Sequence, residues 1–89
     1  MEAKKFTEKI YGPYGDAWKI IKLLALAEDD NPKLGEVLNN YMKEVGAYKE
    51  KYEGNAFAQE LYKLLLRADD TVMRMDRENE REQKTEEDK

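Results

Sequence analysis

Between Ala17 and Ala27 only Lys19 and Lys22 interrupt an otherwise apolar run. Placed at about 100° per residue, that run leaves a narrow polar wedge, so the pattern predicts a helix from about Asp16 to Glu28 that is covered on most sides. Trp18, on this most apolar helix, is expected in the core. "EDDNP" stops the helix, because Pro32 disfavours helical geometry at Asn31.

A second pattern follows. Leu34, Leu38, Tyr41, Val45, Tyr48 and Tyr52 recur at alternating spacings of four and three, a heptad seam. This predicts a helix to about Tyr52, with Asn31 as N-cap and Pro32 at the first helical position. Gly35 and Gly46 weaken it by roughly 1 kcal/mol each relative to alanine. "EGN" makes the next turn, with Gly54 suited to C′ and Asn55 to an N-cap. A third helix is predicted from Ala56 to at least Met75. Phe57, Leu61, Leu64, Leu65, Ala68, Val72 and Met75 fall on its core arc, and beyond Met75 no apolar residue remains. Glu80 and Lys84 support a further turn or two before fraying. Residues 3–11 fit both a short helix, with Phe6 and Ile10 four apart, and an extended arm packed on the helices.

These patterns predict an all-α fold: a three-helix up-down-up bundle. Residues 1–15 form a short N-terminal arm and turn, 16–75 the three-helix domain, and 76–89 a charged, partly disordered tail. Tyr62, Leu66 and Met73 form a second stripe, roughly 100–140° around the third helix from Leu61. One helix face cannot easily bury both stripes. The second stripe is therefore expected to meet another copy of the chain or a helical protein partner, unless the arm covers it through Phe6, Ile10 and Tyr11. A short chain also gains from association, because one small core seldom supplies more than about 3–5 kcal/mol.

Charge sharpens this picture. Sixteen Lys and Arg against twenty Asp and Glu give a net charge of −4 over 89 residues. Residues 76–89 hold 7 acids and 4 bases, whereas residues 1–75 hold 13 acids and 12 bases. The body is nearly neutral and the acidity lies in the tail, which argues against nucleic-acid binding through phosphates. The longest uninterrupted apolar run, Leu23 to Ala27, is too short to span a bilayer. The charged start "MEAKKFTEKIY" does not read as a signal peptide. With no cysteine, the chain is expected to be a soluble cytoplasmic protein without disulfides.

The candidate chemistry is thin. "YGPYGDAWKII" lacks both G-x-x-x-x-G-K-[ST] and a strand followed by G-x-G-x-x-G, and reads instead as a turn through Pro13 and Gly15 leading to a helix capped by Asp16. "EDDNPKLGE" places Gly35 at position 6 of a calcium loop counted from Asp30. Pro32, Leu34 and Tyr41 then stand where oxygen ligands belong. Asp69, Asp70 and Asp76 invite a carboxylate-based divalent-metal site, but Asp70 with Arg74 is also an ordinary i,i+4 pair. There is no histidine, which rules out the Glu-x-x-His pairs of a di-iron bundle, and without His or Cys there is no material for a nucleophilic triad.

Trp18-x-x-x-Lys22 followed by "YKEKYEGNAFAQELYKLLL" resembles small helical proteins encoded by prophages and mobile elements of Gram-positive bacteria. The likeness covers roughly residues 6–75, and its features are Trp18, Lys22, Lys51, Tyr52 and Phe57. It implies a genomic setting and a helical fold, not a mechanism. The expected function is a small non-enzymatic interaction or structural module without cofactor, self-associating as a homodimer through Tyr62, Leu66 and Met73. The alternatives are an acidic inhibitor of a nucleic-acid-acting enzyme and a divalent-metal binder.

Overall fold

The computed structural model describes the backbone of residues 1–87 and the side chains of residues 1–78. Every regular element among the described residues is helical. The first helical arm is α1 (Ala3–Phe6), a π-helical stretch (Thr7–Tyr11), α2 (Gly12–Ile21) and a closing 3₁₀ stretch (Lys22–Leu26). Then come α3 (Leu34–Lys51) and α4 (Ala56–Glu87). Residues 3–11 are thus helical, and no turn separates them from α2.

That continuity corrects the expected N-cap at Asp16, which lies inside α2. Proline normally breaks a helix interior because it lacks an N–H. Here Pro13 falls in the first turn of α2, just after the π stretch, whose wider bonding is closed by the Gly12 N–H donating to the Thr7 carbonyl. Pro13 cannot serve the Lys9 carbonyl one turn back. Asn55 serves it instead, its Nδ2 donating at 3.0 Å.

Each interhelical loop is held by one asparagine that uses both ends of its amide. Asn31 Nδ2 donates to the Leu26 carbonyl at 2.8 Å, and its Oδ1 accepts from the Lys33 N–H at 2.9 Å. One side chain thereby satisfies an orphan carbonyl at the end of the first arm and turns the chain toward α3. The helix begins only at Leu34, so Pro32 lies in the turn before it. Asn55 caps α4 as expected, its Oδ1 accepting from the Ala58 N–H at 2.9 Å. Gly54 has φ +88°, the left-handed conformation of a C′ glycine.

The buried core draws on all three arms: Ala17, Ile20, Leu24 and Ala27 from the first; Tyr41, Val45 and Tyr48 from α3; Ala58, Leu65 and Ala68 from α4. The heptad seam of α3 is borne out, its outer members Leu34, Leu38 and Tyr52 packing on that core. Four core residues are alanines, and the largest fully buried side chain is Tyr41. Trp18 is 55% exposed rather than buried, because neither α3 nor α4 covers that side of α2, and Leu64 and Met75 leave the expected core arc at 54% and 57% exposed.

Two buried tyrosines tie α3 to its neighbours. Tyr48 Oη donates to the Pro13 carbonyl at 3.0 Å, and Tyr41 Oη donates to the Leu65 carbonyl at 2.5 Å. The backbone of α4 is helical to Glu87, further than the turn or two expected after Met75. Residues 88–89 of the expected tail lie outside the described residues. At about 1.5 Å per residue α4 is about 48 Å long, most of the molecule's 55 Å extent. Arg77 reaches back to Asp29 at 3.0 Å.

Candidate interaction surface

Asn55 joins the start of α4 to Lys9 just before α2, and Arg77 late in α4 pairs with Asp29 just after the first arm. The first arm and α4 therefore run parallel. Between them lies an apolar groove of about 190 Å³, lined by Tyr14, Ala17, Trp18, Ile21, Leu61 and Leu64. Ala17 forms its buried floor. Tyr14 and Trp18 make one rim and Leu64 the other, each more than half exposed. Tyr11, seven residues before Trp18, continues the α2 rim. Met75, eleven after Leu64, continues the α4 rim, since eleven residues bring a helix back to nearly the same face.

The opposite flank of α4 carries Tyr62, Leu66 and Met73. Tyr62 and Met73 are partly buried against the core, while Leu66 is 42% exposed. The Lys49 ammonium lies 5.5 Å from the Tyr62 ring centroid, a cation–π distance. This places the flank beside α3, and Met42, seven residues before Lys49, is exposed on the same side of α3. Phe6 and Tyr11 are themselves exposed, and the half-buried Ile10 lies beside Asn55, Ala56 and Phe57 at the start of α4 rather than over Tyr62, Leu66 and Met73.

A cleft of about 230 Å³ lies between α2 and α3, with Asp16, Lys19, Glu44 and Lys51 around it and Ile20, Ala47 and Tyr48 also lining it. Lys51 Nζ lies 2.7 Å from Asp16 Oδ2, and Tyr52 Oη donates to the same oxygen. The hydrogen bond from Lys51 and then that from Tyr52 hold the Asp16 carboxyl below its usual range, against a smaller opposing effect of burial. A carboxylate held this way is a poor general base. Its evident work is to fasten α2 to the end of α3. The sequence reading missed this cluster, since Asp16 and Lys51 are 35 residues apart and no local pattern joins them.

Asp69 and Asp76 share one face of α4 and Asp70 points about 100° away. Among the described residues no group of three or more His, Cys, Asp or Glu is arranged to hold a metal ion. Nor is any described helix long and apolar enough to cross a membrane. No family model matches the chain, and neither a curated protein nor a solved structure is found to be similar to it.

Proposed function

We propose that the protein is a small non-enzymatic interaction module that self-associates. It is built on an up-down-up three-helix bundle from which the charged end of α4 projects. The observation that carries this reading is the convergence of Tyr14, Trp18 and Leu64 on one groove with more than half of each side chain exposed. Scattered exposed apolar residues are ordinary, whereas a contiguous apolar patch with aromatic rims marks an interaction site. The absence of cysteine fits a reducing cytoplasm. The likeness over residues 6–75 supports a mobile-element origin.

Multi-angle light scattering on a sizing column, run as a concentration series, tests self-association. A mass of twice 10.5 kDa that falls toward one chain on dilution is the expected result. One chain's mass at every concentration would overturn it.

A further inference from the structure

We infer that a second copy of this chain occupies the groove between α2 and α4, with its α4 antiparallel to that of the first copy. This rests on the self-association proposed above and names its surface, which is not the Tyr62, Leu66 and Met73 flank. Three observations support it. The first is composition: the α2/α4 groove is rimmed by Tyr14 and Trp18, with the exposed Tyr11 one heptad before Trp18, the residue types that anchor interfaces. The α3/α4 flank has Lys49 over Tyr62, and two of its three stripe residues already pack on the core.

The second is area. Tyr11, Tyr14, Trp18, Leu64 and Met75 are each 54–66% exposed. Together they leave on the order of 600 Å² of side chain uncovered on each copy. A stable dimer buries about 800 Å² a side, so two such grooves facing each other supply most of it. A two-fold axis makes the contact closed and self-complementary.

The third is charge, which sets the direction. Residues 1–9 hold Lys4, Lys5 and Lys9 against Glu2 and Glu8. Residues 69–78 hold Asp69, Asp70, Asp76 and Glu78 against Arg74 and Arg77. Lys5 precedes Trp18 by 13 residues and Asp76 follows Leu64 by 12, each about 18–20 Å along a helix. An antiparallel two-fold across the groove therefore brings the basic arm of each copy level with the acidic stretch of the other. A parallel arrangement would set the two acidic ends side by side.

Sedimentation equilibrium on the full chain and its variants, with Trp18 emission recorded over the same concentrations, tests this. Leu64→Glu is expected to raise the dimer Kd by at least about 30-fold with helicity unchanged, and Leu66→Glu by less than about 3-fold. Trp18 emission is expected to move to the blue as the dimer forms. Tyr14→Glu, on the opposite rim, is expected to reproduce the Leu64→Glu effect and stands in for it if that variant fails to fold. Raising salt is expected to weaken the dimer, as attraction between arm and acidic stretch is screened. A dimer that survives both Leu64→Glu and Tyr14→Glu but is lost in Leu66→Glu would overturn this surface while leaving self-association intact. A dimer strengthened by salt would overturn the antiparallel direction. A wild-type chain that stays monomeric would overturn both readings.

Discussion

Tyr41 and Tyr48 each bury a phenol in order to reach a carbonyl on another helix, and desolvation pushes the pKa of both up to about 12. Below pH 10 both are neutral in the folded and unfolded chain, and the full stability is present. Between pH 10 and 12 the unfolded chain loses these protons while the folded chain keeps them. Stability therefore falls as pH rises, by about 2 kcal/mol for each tyrosine. Melting curves recorded from pH 8 to 11.5 should show this decline. In Tyr41→Phe it should be shallower, with about 1 kcal/mol lost at neutral pH for the missing hydrogen bond. Asn55 concentrates two jobs in one amide, and they can be separated. Asn55→Ala removes the α4 cap and the donor to Lys9, and should cost about 2 kcal/mol. Asn55→Ser keeps a capping oxygen but not the reach to Lys9, and should cost about half that. Urea denaturation of the two variants measures the difference.

The helices end where backbone chemistry requires, and one end depends on a single residue type. Gly54 at φ +88° stands at the close of α3. An alanine there finds open space around its Cβ but must hold a left-handed backbone. Gly54→Ala should therefore cost about 1 kcal/mol, seen as a lower urea midpoint with an unchanged slope. The far end of α4 behaves differently. The residues after Met75 are all polar or charged. Deleting residues 79–89 should leave the melting temperature of the remaining chain within a few degrees, because those residues add no apolar burial to the core. A large fall in melting temperature would show that the end of α4 docks.

The core and the proposed association surface draw on different residues in the molecule as a whole. Its core is built from four alanines with Ile20, Leu24, Tyr41, Val45, Tyr48 and Leu65, and Trp18 lies outside it. Trp18→Ala should then cost the monomer only about 1–2 kcal/mol, well below the roughly 3–5 kcal/mol of a fully buried aromatic, while weakening assembly much more. Chemical denaturation at high dilution reads the first effect, and sedimentation reads the second. Comparable losses in both would mean that Trp18 serves the core.

Much of the fold was legible in the order of residues. The heptad seam of α3, the glycine and asparagine of the second loop, and the start of α4 are local signals, each carried by residues within a turn or two of one another. The rest was decided by packing. A helical wheel ranks Trp18, Leu64 and Met75 as core because it weighs apolar character alone. In the folded chain Ala17, Ala27, Ala58 and Ala68 are buried together with Tyr41, Tyr48 and Leu65, while Trp18 and Leu64 rim a groove and Met75 is exposed. The π stretch before Pro13 likewise depends on Asn55, 46 residues from Lys9, and the Asp16 carboxylate on Lys51 and Tyr52. The sequence alone determined that the chain has three main helical segments and where the loops between them fall, though not that the first begins at Ala3. Only the tertiary structure decided which large apolar side chains of the first arm and α4 are buried, because that depends on what the neighbouring helices cover, and no single helix carries that information.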